Sequence, residues 1–198
     1  MDMTHRLVAD QVCTSPGSFE SLATLENAAL RVQQGDIQAF GDIVRQTSAQ
    51  LVRVAARVIG DLAEAEDVVQ ESYINAYQAL SQGQFDARAQ LLTWLRRIVT
   101  NRAIDAIRSR RRRPSLDDSK IEAGGEGAVY AESRMALIEM QDWMNALVPE
   151  QRAALVLSVL EGLSNAEIAQ IMGSSEGAVE QRLVRARVAL RQRIQKDG

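Results

Sequence analysis

The 198-residue chain holds one cysteine (Cys13), one histidine (His5) and three prolines, and aromatic residues make up 4% of it. One cysteine excludes an intramolecular disulfide, and Cys13 with His5 cannot complete the four-ligand shell of a structural zinc. No Gly-rich phosphate loop, Gly-x-Ser-x-Gly elbow or His-Glu-x-x-His run occurs. The usual scaffolds of phosphoryl transfer, acyl transfer and zinc proteolysis are therefore missing. No segment approaches the roughly 20 apolar residues that span a bilayer. The first residues also lack the apolar stretch of a signal peptide. These absences lead us to expect a cytoplasmic protein that is not an enzyme, needs no cofactor or metal, and does not insert into a membrane.

What is abundant is helix-forming: Ala, Leu, Val, Arg, Gln and Glu dominate a chain that is 46% hydrophobic and 25% charged. No strand-like alternation appears, so the expected fold class is all-α, with two small helical domains joined by a flexible acidic linker. Residues 1–20, with the Ser15-Pro16-Gly17 turn, read as a flexible tail. Helical spacing begins near Phe19. Gly35-Asp36 punctuates it, and Asp36 suits an N-cap. Phe40, Ile43, Thr47, Leu51, Ala55 and Val58 then recur on one face up to Gly60-Asp61. Another helix follows from Leu62, a loop spans 81–90, and a long helix runs from Leu91 to the arginines before Pro114. That gives a first domain over 21–113. Residues 114–132, polar, acidic and glycine-containing, read as the linker. The second domain, 133–198, holds Pro149 at a helix start, a Ser164-x-x-Glu167 capping box, and Gly173 as a stop.

The formal charge of −3 averages over a strong separation. Between Arg88 and Arg113 lie nine arginines and one acid, Asp105; between Arg182 and Lys196 lie six basic residues and no acid. Two cationic helices in an acidic chain point to nucleic acid more than to solvated faces. The second of them has the layout of a helix-turn-helix: a short capped helix, a glycine turn, then a longer helix. Ile168, Ala169 and Met172 should pack on Val179, Leu183 and Ala186, with Leu190 and Ile194 continuing the stripe. This leaves Ser175, Glu176, Ala178, Gln181 and Arg182 near the exposed start, where such helices meet base edges, with Glu180 on the flank of the stripe. Arg185 and Arg187 then fall where phosphates would be met.

"EAEDVVQESYINAY" (64–77), "TWLRRIVTNRAIDAIRSRRRR" (93–113) and "LVPEQRAALVLSVLEGLSNAEIAQIMGSSEGAVEQRLVRARVALR" (147–191) together resemble the bacterial RNA polymerase sigma factors of the extracytoplasmic-function group. The resemblance covers about residues 30–113 and 133–195. It implies a transcription-initiation factor that binds core RNA polymerase, directs it to promoters and helps melt the −10 element. It places core-polymerase docking on Asp67, Gln70 and Glu71, with Val68 and Tyr73 packing nearby. It places capture of the single-stranded −10 element on a wall made by Phe85, Asp86 and the loop backbone. Arg96, Arg97, Asn101, Arg102, Arg108 and Arg111 supply the cations and an amide there. It places −35 recognition on Ser175, Ala178, Glu180, Gln181, Arg182, Arg185 and Arg187. Promoter DNA and an anti-sigma factor, often membrane-bound in the group, are the further implied partners.

The chain departs from the group's usual pattern in three places. Leu91 stands where an aromatic is common, Ala178-Val179-Glu180-Gln181-Arg182 replaces a Thr-Val-Lys-Ser-Arg run, and Val184 replaces a histidine. Glu180 has no basic residue at i+3 or i+4, so a helix salt bridge does not explain it. A sigma-like decoy that binds an anti-sigma factor without touching DNA is the competing reading. The retained Arg182, Arg185 and Arg187 weigh against it.

Overall fold

Helix boundaries in this chain follow from single residues at their ends. The computed structural model describes residues 17–85, 90–112 and 139–197; Cys13, His5, Asp86 and the expected linker 114–132 lie outside them. Helix α1 (Gly17–Gln33) begins slightly before the expected start, inside what reads as tail. It ends on Gly35 at φ 94°. There the amides of Gly35 and Asp36 bond back to the carbonyls of Val32 and Arg31, both at 3.0 Å. That is the Schellman closure, which glycine enters without a Cβ clash. Asp36 then caps α2 (Ile37–Ile59), accepting from the amides of Gln38 and Ala39. Arg31 bonds the same carboxylate at 2.9 and 2.5 Å and, with those amides, holds the Asp36 carboxyl below its usual range.

Asp61 caps α3 (Leu62–Ser81), and Gly83 closes it by the same Schellman pattern. The start of α4 (Leu91–Arg112) is served from a distance: the Glu26 carboxylate of α1 accepts the Leu91 amide at 2.7 Å. A carboxylate there also complements the positive end of the helix dipole. The four helices bury Ile43, Leu51, Ile59, Leu80, Leu91, Leu95 and Ile107 almost completely. Each such side chain contributes about 1.5–3 kcal/mol through burial. Phe40 meets the rings of Tyr73 and Tyr77 edge-on, and the Tyr73 hydroxyl lies 2.6 Å from Thr47 Oγ1. Thr47 in turn bonds the Ile43 carbonyl, so this buried polar pair is satisfied.

The second half is built on a smaller core. Residues 139–146 are helical, here α5, and α6 (Pro149–Leu155) starts with proline at its first turn. The sequence suggests that α6 runs to Gly162. Instead it loosens into a π turn over Val156–Leu160, with the Glu161 amide bonding the Val156 carbonyl five residues back. Helix α7 (Asn165–Met172) carries the full capping box: Ser164 accepts from the Glu167 amide, and the Glu167 carboxylate accepts from the Ser164 amide. The Ser164 hydroxyl and then its amide, both donating to that carboxylate, lower the Glu167 pKa. The stabilisation is therefore present above the ordinary glutamate pKa and lost as pH falls through the depressed value. Replacing Ser164 by Ala should cost about 1 kcal/mol in chemical denaturation, the usual value of an N-cap.

Gly173, at φ 59°, turns the chain into α8 (Glu176–Asp197), and Ser175 Oγ accepts from the Ala178 amide at its start. Ile168, Ala169, Ile171, Val179, Leu183 and Ala186 are buried together, with Met172 partly buried beside them. The expected stripe fades along α8: Leu190 is half-buried and Ile194 is 51% exposed. No strand occurs among the described residues. An apolar seam joins the halves, Val54 of α2 belonging to the C-terminal core and Ala153 and Val156 to the N-terminal one.

Candidate nucleic-acid interface

Three surfaces carry the residues singled out from the sequence. On α3, Asp67, Gln70 and Glu71 are exposed, whereas Val68 and Tyr73 are buried beneath them. The exposed set continues one turn further into Ile74, 59% exposed. Positions 67, 70, 71 and 74 form one stripe at helical spacing. Ile74 is absent from the sequence-derived set, although that spacing alone could have found it. Glu71 pairs with Arg102 across the α3–α4 contact.

On α4 several arginines have partners. Arg96 is half-buried, and its Nε has no hydrogen-bond acceptor. Burial lowers its pKa, opposed by the nearby Glu161 and Glu167 carboxylates and reinforced by Arg53. The Arg97 guanidinium lies against Gly173, 3.2 Å from where a Cβ there would stand. Arg108 pairs with Asp105 at 3.1 Å and also with Glu150. Arg111 donates to the carbonyls of Asn145 and Leu147, both at 2.6 Å. Arg102 bonds Glu71, and Asn101 faces solvent.

Phe85 departs from the sequence-based expectation of a pocket wall. It is 7% exposed, its ring centroid stands 5.2 Å from that of Trp94, and its carbonyl accepts from Gln33 Nε2 at 2.9 Å. The Gly83 turn folds the chain back over Trp94, so the Phe85 ring fills the bundle and not an open pocket. Asp86 lies outside the described residues.

On α8, Ser175, Glu180, Gln181, Arg185 and Arg187 are exposed and Ala178 is half-buried. Arg182 folds back, its Nη1 donating to Ser174 Oγ at 2.8 Å, which ties the helix-turn-helix turn to the body of α8. No ion pair engages Glu180 among the described residues. Val184 and Val188 stand exposed between the arginines.

Comparison with known proteins gives these surfaces a family. Residues 43–113 match Sigma-70 region 2 and residues 137–190 match Sigma-70, region 4. The chain is 34% identical over 181 residues to the RNA polymerase sigma-H factor of Pseudomonas aeruginosa, covering 83% of this chain and 91% of that one. It is 33% identical over 178 residues to the ECF RNA polymerase sigma factor SigW of Bacillus subtilis, covering 83% and 93%. The chain belongs to the extracytoplasmic-function sigma factors. The fold of this sigma factor is shared by CnrH in complex with the cytosolic domain of CnrY, at TM-score 0.64 and 26% identity, covering 88% of this chain and 99% of that one. It is also shared by the sigma factor RpoE bound to the anti-sigma factor NepR from Bartonella quintana, at TM-score 0.57 and 23% identity, covering 82% and 100%. Among the described residues of the sigma factor, no helix is long and apolar enough to cross a membrane. No group of His, Cys, Asp and Glu among them is arranged to hold a metal ion.

Proposed function

We propose that this sigma factor divides promoter-directed initiation among its three surfaces. The exposed stripe Asp67, Gln70, Glu71 and Ile74 docks on core RNA polymerase. An acidic and amide face with one exposed aliphatic suits a basic partner helix with an apolar centre. Helix α4 and the preceding loop hold the single-stranded −10 element, through Arg96, Arg97, Asn101, Arg102, Arg108 and Arg111. Helix α8 enters the duplex major groove at the −35 element with Gln181 and Glu180 facing bases and Arg185 and Arg187 facing phosphates. Residues 21–113 form the polymerase and −10 unit and residues 133–198 the −35 unit. The protein performs no covalent chemistry, since polymerase supplies it, and acts in the cytoplasm. An anti-sigma factor is a further expected partner, as NepR is in its complex with the sigma factor RpoE. The observation that carries the reading is the pair of arginine-rich helices α4 and α8 beside an exposed acidic stripe on α3. The exposed Arg185 and Arg187 weigh against a decoy that avoids DNA. Reconstitution with core polymerase on a genomic promoter library tests the reading. Promoter-dependent transcripts are expected, and none from any fragment overturns it.

Glu180, exposed on α8, is the residue to which we assign a part in sequence choice. A carboxylate in the major groove accepts from cytosine N4 and repels the acceptor edge of other bases. The Glu180→Gln variant should therefore change which −35 sequences are selected from a randomised pool, with a discrimination loss of about 1–3 kcal/mol at one base pair. A variant that binds every sequence more tightly by the same factor shows instead that Glu180 tunes affinity.

A further inference from the structure

We propose that Val184 and Val188 set part of the −35 sequence by packing on thymine methyl groups, so that α8 selects thymines about two base pairs apart. This rests on the reading of α8 as the −35 helix and deepens it. Successive helical residues turn by about 100°, and the buried row Val179, Leu183 and Ala186 fixes the inner side of α8. Opposite that row stand Gly177, Gln181, Val184 and Val188. All four are exposed, the two valines by 51% and 47%. The outermost line of the helix is thus uncharged over about three turns. Gly177, at its head, adds no side chain and faces open space.

Charge lies to either side of that line. Glu180, Arg187 and Arg191 follow one flank and Arg185 the other, all of them exposed. The major groove of duplex DNA is the complement of this pattern: anionic phosphates border a floor of uncharged base edges. Folding gives no reason for the two valines. Neither belongs to the C-terminal core. A β-branched side chain is also a poorer helix former than alanine and here leaves apolar surface in water.

On the groove floor the apolar group is the thymine C5-methyl, and its neighbours are hydrogen-bond donors and acceptors. An aliphatic side chain set over a donor or acceptor removes its water and returns no bond. Valine therefore favours thymine both by contact and by exclusion. A helix also holds valine in one strongly preferred rotamer, so the contact orders little that was free. Along the axis Val184 and Val188 are about 6 Å apart at about 1.5 Å per residue. That spans close to two base-pair steps of about 3.4 Å. Gln181, one turn before Val184, then faces an adjacent base pair, where its amide matches the N6 and N7 atoms of adenine.

A duplex selected by the full-length protein from a randomised −35 pool tests this. Each thymine is replaced in turn by deoxyuridine, which removes the methyl and keeps every hydrogen-bonding group. Fluorescence anisotropy should show roughly fourfold weaker binding, the effect of one buried methyl, at two positions about two base pairs apart. Val184→Ala should bind thymine and uracil equally at one of these positions and respond as wild type at the other. Val188→Ala should do the reverse. Both side chains are exposed, so the helical circular dichroism signal should not change. Selected duplexes that lack thymine at such a pair of positions overturn the proposal. So do uracil effects that are absent, or that persist unchanged in the alanine variants. In each of those cases α8 still reads the −35 element, through its other residues. A pool that yields no preferred duplex removes the reading of α8 itself, and the valine assignment with it.

Discussion

Reversing the charge of Arg185 and Arg187 together, as Arg185→Glu/Arg187→Glu, should weaken binding to −35 duplex by about two orders of magnitude near physiological salt. Both side chains are exposed on α8, so the substitution leaves the core of Val179, Leu183 and Ala186 intact. Each phosphate contact contributes close to one unit of slope in log affinity against log salt, because binding releases a condensed counterion. The variant should therefore bind with a salt slope shallower by roughly two. Its relative preference among duplex sequences should persist, since phosphates carry no base information. Titrations by anisotropy across a salt series, with the helical circular dichroism signal as the folding control, separate these outcomes. A variant with wild-type slope shows that α8 meets DNA through other residues.

Residues that act through their immediate neighbours were legible from sequence. Asp36 and Ser164 cap because their side chains reach amides two or three residues on. Gly35 and Gly173 end helices because they adopt positive φ. The apolar rows of α2 and α7 declared themselves by spacing, and so did most of the acidic stripe on α3. What was not legible depends on distant partners. Glu26 serves the amide of Leu91 across 65 residues, and Glu161 meets Arg57 across 104. The π turn leaves no periodic signature in so short a span, yet it sets where Glu161 points. The resemblance gave Phe85 to a pocket wall in the loop, and tertiary packing on Trp94 buries its ring in the core. The charge separation showed that α4 is cationic. It could not show that α7 and the ends of α5 and α6 already occupy those cations.

On α3, the Asp67→Lys/Ile74→Glu variant should reduce affinity for core polymerase by at least about 30-fold, roughly 2 kcal/mol, the threshold of an interface hot spot. Two effects combine. Asp67→Lys places a cation where a basic partner surface expects an anion, which slows encounter and costs contact energy. Ile74→Glu puts a charge at the one aliphatic position of the stripe, where complex formation would otherwise remove apolar surface from water at about 25 cal/mol per Å². The fold should tolerate both, because each residue is exposed while Val68, Val69 and Tyr73 hold α3 to the bundle from beneath. Melting temperature should shift by no more than a few degrees. Separating the two substitutions adds a sharper criterion. Loss from Asp67→Lys should shrink as salt rises, because an exposed charge contact is screened. Loss from Ile74→Glu should persist at high salt, because it arises from lost apolar contact and the cost of desolvating a carboxylate. If both losses vanish together at high salt, the stripe acts through charge alone and Ile74 is no anchor. If neither variant binds more weakly, polymerase docks elsewhere on the chain.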